Sequence, residues 1–180
     1  PGTDPVTETQ PAGYPDGKDT TGTPGTGTAG NDVFGTIALA NGAAGVNNNF
    51  GELQPAAVGG YVYVDANNDG VKQGTETPIA GVTVALSGTD VNGAAVSRTT
   101  TTDVNGFYVF TALVPGIYTV TETQPAAYFD GTDPQGTPGT GTPGNDVFTT
   151  IPLPSGGTGT NHTRGDVARA PSAHRACPPA

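Results

Sequence analysis

Hydrophobic and polar positions alternate along much of the chain with the two-residue period of a β-strand. Residues 61–64 read Tyr-Val-Tyr-Val, and residues 82–86 alternate as a half-buried strand does. Residues 117–123 show the same alternation after the turn residues Pro115-Gly116. No segment has the 3.6-residue period of a long amphipathic helix. The pattern therefore predicts an all-β protein.

Two Asn-Gly pairs divide the middle of the chain. Asn92-Gly93 and Asn105-Gly106 bracket a Thr-rich stretch at residues 94–102. Both residues of such a pair tolerate the positive φ that a type I′ hairpin turn requires. The two pairs predict an antiparallel meander over residues 82–111.

Composition and charge narrow the class of protein. The chain has 180 residues with 29 Gly and 17 Pro, and many short strands separated by turn residues favour a β-sandwich. The net charge of −10 argues against nucleic-acid binding, because phosphate repels such a surface. The single Cys177 excludes an internal disulfide. Because the chain starts at Pro1 without a Met, we interpret it as part of a longer polypeptide.

The chain repeats itself with a constant offset of 114 positions. The heptapeptide at residues 6–12 returns at 120–126, and the tetrapeptide at 31–34 returns at 145–148. An offset of this length suits whole sandwich domains in tandem rather than a solenoid. The first copy lacks a counterpart of residues 61–111, so we expect it to be disordered or loosely paired.

One loop has the oxygen-ligand spacing of a calcium site. Residues 65–76 read Asp-Ala-Asn-Asn-Asp-Gly-Val-Lys-Gln-Gly-Thr-Glu, and Gly70 stands where such a loop turns sharply. A hard cation needs six or more oxygens, which alternate residues of a tightly wound loop can turn inward. The predicted ligands are Asp65, Asn67, Asp69, the carbonyl of Val71, Gln73 through water, and Glu76 with both carboxylate oxygens. The alternative is a polar surface turn without an ion.

The flanks of this loop are strands, whereas an EF-hand has helices. The loop follows residues 61–64 and leads to the strand at 82–86. A loop in that place suits stiffening of a β-domain better than opening a helix pair as a sensor does.

Three longer segments of the sequence resemble segments of a known protein family. Residues 60–70, Gly-Tyr-Val-Tyr-Val-Asp-Ala-Asn-Asn-Asp-Gly, resemble the opening of the SdrD B-like domain, the calcium-binding B repeat of serine-aspartate repeat surface proteins. Residues 102–110 and 113–122 resemble the body of that domain and of the related collagen-adhesin B-type (Cna B) domains. The resemblance implies Ig-like or prealbumin-like β-sandwich repeats that serve as stalk modules. It also implies calcium at Asp65, Asn67, Asp69 and Glu76.

The repeat and the resemblance together predict four segments. They are a truncated B-type repeat at 1–53, a linker at 54–59, a nearly complete B-type repeat with the calcium loop at 60–161, and a divergent, disordered tail at 162–180. The tail departs from the repeat after Asn161 and contains both His residues and the Cys.

Two further kinds of chemistry would involve Glu122: an isopeptide bond and a second calcium site. Some Cna B-type domains form a Lys–Asn isopeptide bond beside a buried Glu, and Glu122 lies at the matching position. We do not expect the bond, because Lys18 and Lys72 both lie in loop segments. Glu122 could instead be a partly exposed carboxylate at a strand end, or a ligand of a second calcium ion. Candidate co-ligands for that ion are Asp103, Asp130 and Asp133.

The sequence does not support catalysis. No base–nucleophile pair can be placed in the folded part, since the His and Cys residues lie in the tail. Arg164-Gly165-Asp166 spells an integrin-binding tripeptide, but a three-residue match in the tail is interpreted as accidental.

The predicted function is therefore a non-catalytic, calcium-stabilised stalk or spacer module of a repetitive bacterial cell-surface or secreted adhesin. The alternative is an accessory carbohydrate- or protein-binding module of a secreted protein. Neighbouring repeats of the same chain are the expected partners, and other parts of the parent protein would bind any host or matrix ligand. The expected location is extracellular, secreted or cell-wall-associated, with no membrane insertion in this segment.

Overall fold

The computed structural model describes residues 1–25 and 28–169, which form twelve β-strands and the loops between them. The strands are β1 (Gly2–Thr7), β2 (Thr28–Gly30), β3 (Val33–Leu39), β4 (Ala56–Val64), β5 (Thr83–Asp90), β6 (Ala95–Thr101), β7 (Phe107–Leu113), β8 (Gly116–Glu122), β9 (Tyr128–Asp130), β10 (Val147–Leu153), β11 (Thr158–Gly159) and β12 (Arg164–Ala168). Among the described residues, no helix has the length and apolar character needed to cross a membrane. The prediction of an all-β fold is confirmed.

Two sheets of the second repeat face each other. One is antiparallel with the order β10-β8-β5-β6. The other is built around β4, which pairs with β7 antiparallel on one side and with β11 and β12 parallel on the other. Strand β9 pairs with β12 and completes this five-stranded sheet. Because β4 is paired along both edges, it is a central strand.

The hydrophobic core lies between these two sheets. Alternate residues of β8 are buried, as expected for a strand with one face on the core. Buried side chains from both sheets form one cluster: Ala56, Val58, Val62, Ile79, Val82, Val84, Leu86, Tyr108, Phe110, Leu113, Tyr118, Val120, Phe148, Ile151 and Leu153. Burial of apolar surface at about 25 cal/mol per Å² makes this cluster the main stabilising element of the sandwich.

The two Asn-Gly turns differ from the predicted type I′ geometry. Only the glycines have positive φ, +83° at Gly93 and +70° at Gly106. In the first turn, Gly93 N donates to Asp90 O, and Asp90 N donates to Ala94 O. These bonds close a three-residue loop in which a type I turn is followed by a glycine in the left-handed region. The Asp90 carboxylate, which also accepts from the backbone, favours this longer loop.

The predicted meander over residues 82–111 is wrong in its last strand. Strands β5 and β6 pair as expected, but β7 pairs with β4 in the opposite sheet. Tyr108 and Phe110 of β7 are 1% and 3% exposed, so the crossing buries two aromatic rings in the core. Burial of these rings outweighs the simpler hairpin connection.

The two copies share strand register as well as sequence. Strand β1 pairs with β3, and β8 pairs with β10, through partners that correspond at the 114-residue offset. Both pairs shift register at corresponding positions, between Asp4 and Val6 in one and between Phe148 and Ile151 in the other. The first copy therefore has the same local structure as the end of the second.

The first copy has a small sheet of its own, with the order β1-β3-β2. Phe34 and Ile37 are its buried apolar side chains, whereas all six residues of β1 are exposed. Without counterparts of β4 to β7, this sheet has little apolar surface to cover it.

The segment boundaries of the structure differ from those expected. The predicted linker at 54–59 contains the start of β4 at Ala56. The predicted tail begins at residue 162, but 164–168 form β12 and fill the edge beside β4. The reason is that Arg164 and Asp166 are held by polar partners inside the sandwich, which replace the apolar contacts of an ordinary strand. The rest of the predicted tail, 170–180, lies outside the described residues.

Candidate metal centre

The loop at residues 65–76 is wound around the carboxylate of Asp65. This side chain is fully buried, and its two oxygens accept hydrogen bonds from Asp69 N at 3.2 Å and Gly70 N at 2.7 Å. Gly70 has a φ of +74°, and a Cβ there would lie 2.7 Å from the Thr132 side chain. The glycine therefore permits both the turn and the close approach of the neighbouring segment.

The other carboxylates of the loop are held by backbone and amide donors. Asp69 accepts from Val71 N and from the side-chain amides of Asn67 and Gln73, and these bonds lower its pKa. Glu76 accepts from Ala66 N and Gln73 N through its two oxygens, at 3.1 and 2.9 Å.

The loop also connects to two other segments. Asp65 N donates to Asp166 O in β12 at 2.8 Å, and Thr132 Oγ1 donates to Asn68 Oδ1 at 3.0 Å. The loop thus joins the end of β4 to β12 and to the segment after β9. Its predicted carboxylate ligands do not form one of the groups of converging acidic oxygens found among the described residues.

One converging group lies in the segment beside the loop. We call Asp130, Asp133 and Asp146 the outer acidic group of the second repeat, since one carboxylate oxygen from each lies within 4.8 Å of the others. Asp133 accepts hydrogen bonds from Asp146 N and Gly165 N. Burial raises the pKa of Asp133 to about 7, and the charge of Asp130 adds to the increase.

The same group recurs in the first copy. Its outer acidic group is Asp16, Asp19 and Asp32, each 114 positions before its counterpart. The backbone bonds recur as well, because Asp19 accepts from Asp32 N at 3.1 Å and Gly51 N at 3.2 Å. Two independent parts of the chain therefore build the same arrangement of carboxylates.

The residues suggested for a second calcium ion are only partly together. Asp130 and Asp133 converge with Asp146, a residue missed in the sequence. Asp103 lies elsewhere and accepts from Asn105 N and Phe107 N in a turn. The recurrence of Asn-Asp at 31–32 and 145–146 was the signal that could have pointed to Asp146.

Glu122 lies in an adjacent pocket and is paired with an arginine. Its Oε2 is 3.3 Å from Arg164 Nε, and both side chains are buried. Burial and the charge of Asp166 raise the pKa of Glu122, whereas the ion pair with Arg164 lowers it. We call Glu122, Asp146 and Asp166 the inner acidic pocket of the second repeat.

The remaining motifs have structural explanations. Arg164 and Asp166 are 1% and 2% exposed, so the integrin-type tripeptide is not displayed on the surface. Lys72 places its Nζ over the ring of Tyr61 at 5.1 Å. The ion pair beside Glu122 is made by Arg164, not by a lysine.

Comparison with known proteins identifies the family. The model of the SdrD B-like domain family matches residues 56–164, and the chain belongs to this family. The match begins with β4 and reaches β12.

Individual relatives are similar over parts of the chain. Serine-aspartate repeat-containing protein D of Staphylococcus aureus strain Newman is 35% identical over an alignment of 150 residues that covers 74% of this chain and 11% of that protein. Protein C of the same series, from strain N315, is 41% identical over 97 residues, 54% of this chain and 10% of that protein. The chain thus spans about a tenth of the length of these relatives. Among solved structures, the major pilin SpaD of Corynebacterium diphtheriae is similar with a TM-score of 0.40 and 15% identity, covering 64% of this chain and 32% of the pilin.

Proposed function

We propose that this chain is a non-catalytic, calcium-stabilised stalk segment of a bacterial cell-surface or secreted adhesin. The observation that carries the proposal is the position of the 65–76 loop. It joins the end of the central strand β4 to β12 and to the segment after β9. An ion held there would fasten three parts of one domain, which is what a stiff spacer needs.

The donors of the loop fit a hard cation such as calcium. Asp65, Asp69 and Glu76 supply carboxylates, and Asn67 supplies an amide oxygen. Calcium would offset the repulsion between these carboxylates. The residues Asp65, Asn67, Asp69, Val71, Gln73 and Glu76 remain the proposed ligands.

The two outer acidic groups are the second place that would hold such an ion. Three carboxylates meet in each, at corresponding positions of both copies. Burial raises the pKa of Asp133 even though the charge of Arg164 opposes the increase, which indicates that the arginine does not fully neutralise this acidic group.

Family membership and the tandem repeat support the stalk role. The chain carries one complete sandwich directly after the end of another, joined at residue 54. Gln54 N donates to Ser155 Oγ at 2.8 Å, and Gly156 N donates to Gln54 O at 3.1 Å. A connection that is bonded to the next domain favours a rod over freely jointed domains. The neighbouring repeats are thus the proposed partners, and the proposed location is extracellular.

Thermal melting with calcium and with EDTA tests calcium stabilisation. Calcium at a hundredfold excess over its dissociation constant stabilises a folded domain by about 2.7 kcal/mol. We expect a higher melting temperature in calcium, and greater proteolysis near residues 65–78 in EDTA. Identical melting curves in the two conditions would contradict the proposal.

A pair of variants tests the ligand assignment. Glu76→Gln removes the proposed bidentate ligand and should abolish most of the calcium-induced rise in melting temperature. Lys72→Ala changes a side chain of the same loop that lies over Tyr61, and should leave that rise unchanged. Equal effects of the two substitutions would show that the ion is not held by this loop.

A further inference from the structure

Position 164 distinguishes the two copies more than any other position near the acidic residues. Its counterpart in the first copy is Phe50, which packs against Phe34 with ring centroids 4.5 Å apart. In the second repeat the corresponding ring, Phe148, is covered by the guanidinium of Arg164 at 4.1 Å. A charged group has therefore replaced a ring at the same place in the fold.

The guanidinium of Arg164 contacts polar groups inside the sandwich through all three nitrogens, with hydrogen bonds from Nη1 and Nη2 and an ion-pair contact from Nε. Its Nε lies 3.3 Å from the Glu122 carboxylate, and its Nη2 donates to Val120 O at 2.7 Å and Asp146 O at 3.2 Å. Its Nη1 donates to the Tyr108 hydroxyl at 3.3 Å. With a residue exposure of 1%, Arg164 has exchanged water for these partners. A buried charge is tolerated only when it is paired in this way.

Each acidic residue around this position has an acidic counterpart in the other copy, although the last of them is Glu52 in the first copy and the shorter Asp166 in the second. The inner acidic pocket of the first copy consists of Glu8, Asp32 and Glu52, which correspond to Glu122, Asp146 and Asp166. A glutamine holds the last carboxylate in each case, Gln10 on Glu52 at 2.5 Å and Gln124 on Asp166 at 2.6 Å.

The arrangement of those carboxylates differs in one respect. In the first copy, one oxygen from each of the three lies within 4.8 Å of the others. Their counterparts in the second repeat are not among the converging groups of the described residues. The copy that contains an arginine is thus the copy in which the carboxylates have separated. In that copy Glu122 faces the arginine directly.

We propose that Arg164 is a built-in cation that neutralises the inner acidic pocket of the second repeat, so that this pocket needs no bound divalent cation. The guanidinium offsets the buried charge of Glu122 and fastens β12 to the backbone of β8 through Val120. The closing strand of this repeat is then held by an internal ion pair. Calcium binding at the 65–76 loop does not depend on this ion pair, since none of the loop's proposed ligands pairs with Arg164.

Substitution of Arg164 by the residue of the first copy tests this proposal. The 180-residue chain carrying Arg164→Phe is melted in EDTA and in calcium beside the unaltered chain. In EDTA we expect a melting temperature lower by about 10 °C or more, because Glu122 is left buried without a partner. We expect calcium to recover much of this loss, so that the calcium-induced shift exceeds that of the unaltered chain.

Two further variants make the result decisive. Arg164→Lys keeps a cation and should melt with the calcium-induced shift of the unaltered chain. Arg98→Phe makes the same exchange at an exposed strand position, where the arginine donates to Thr111 O, and should not alter the shift either. Every variant keeps the carboxylates of the loop and of the outer acidic groups, so comparison of each shift with that of the unaltered chain cancels the contributions of those sites.

Three outcomes would overturn the proposal. If Arg164→Phe melts as the unaltered chain does, then the ion pair is not needed. If it is destabilised equally in EDTA and in calcium, Arg164 only fills space. If it folds in neither condition while Arg164→Lys folds, a divalent cation cannot replace the guanidinium.

Discussion

At the scale of single residues, the acidic side chains determine how this protein responds to pH. Burial raises the pKa of Asp133 to about 7 and that of Asp166 to about 6. A carboxyl group with a raised pKa takes up a proton on folding, so its contribution is present at low pH and is lost as the pH rises through the folded-state pKa. His162 acts in the opposite direction, because burial lowers its pKa to about 4. This lowered pKa makes the folded state less stable as the pH falls from about 6.5 to about 4.

In the absence of calcium, the carboxyl groups should determine how stability changes with pH and outweigh His162, because Glu122 has a raised pKa as well. In EDTA we expect the melting temperature to fall as the pH rises from about 4 to about 7, between the ordinary pKa of an aspartate and the raised values. Under the proposed function, calcium would bind the ionised carboxylates and reduce this fall. Melting curves at several pH values, with and without calcium, measure both effects.

A substitution assigns the pH response to its source. Asp133→Asn removes one of the three ionisable side chains of the outer acidic group, the one whose pKa burial raises to about 7, and should make the melting temperature less dependent on pH in EDTA. Asp103→Asn alters an exposed carboxylate in a turn and should leave the profile as it is. A rise in melting temperature with pH in EDTA would mean that the buried carboxylates are not the controlling groups.

The sequence shows some of these residues and hides others for a physical reason. The proposed ligands in the 65–76 loop are close in sequence, so their spacing is visible without a structure. Arg164 is different, because its ion-pair partner Glu122 is in another strand and the pairing depends on how the sandwich closes. A polar segment whose partners are distant in sequence has the pattern of a disordered tail, and for this reason the sequence did not predict β12.

At the scale of elements, local alternation predicts strands well and their partners poorly. The alternation at 82–86 and 117–123 corresponds to β5 and β8, which pair with each other. The Asn-Gly pairs marked two turns, but they did not reveal that β7 leaves the sheet of β6. That choice depends on where the rings of Tyr108 and Phe110 can be buried, which is a property of the whole core.

The two turn glycines provide a matched test of the turn geometry. Gly93 and Gly106 both have positive φ, but a Cβ at Gly93 meets nothing within 4 Å, whereas one at Gly106 would lie 2.3 Å from Val62 O. Gly93→Ala should therefore cost only the backbone strain, about 1 kcal/mol. Gly106→Ala should cost clearly more, since Val62 belongs to the central strand.

Denaturant unfolding of the two variants measures this difference. The free energy of unfolding of Gly106→Ala should lie below that of Gly93→Ala by about 2 kcal/mol, the scale of an overpacked core position. Equal losses would show that β7 does not approach β4 as closely as the structure has it.

At the scale of the whole molecule, the chain joins one complete sandwich to the end of another. The complete repeat closes its core with two sheets, whereas the first copy has a three-stranded sheet and buries Phe34 and Ile37. The strand pairs β1–β3 and β8–β10 have the same register, so the repeated sequence forms the same local pairing in both copies. The copies differ in what covers their sheets, and coverage by an opposing sheet is what makes a strand resist opening.

Amide hydrogen exchange should therefore divide the molecule at its repeat boundary. Residues of β5 and β8 have opposing apolar side chains and should exchange only when the whole sandwich unfolds. Residues of β1 and β3 hydrogen-bond to each other, but β1 is exposed along its whole length, so they should exchange by local opening with much lower protection.

The experiment is run in calcium on the 180-residue chain. A longer chain, in which a second copy of residues 56–114 is placed before Pro1, serves as the control, and there protection of β1 and β3 should rise to that of β8 and β10. If β1 and β3 are as protected as β5 and β8 in the 180-residue chain, then the first copy is stable without counterparts of β4 to β7. Its small sheet would then have to be covered by the second repeat.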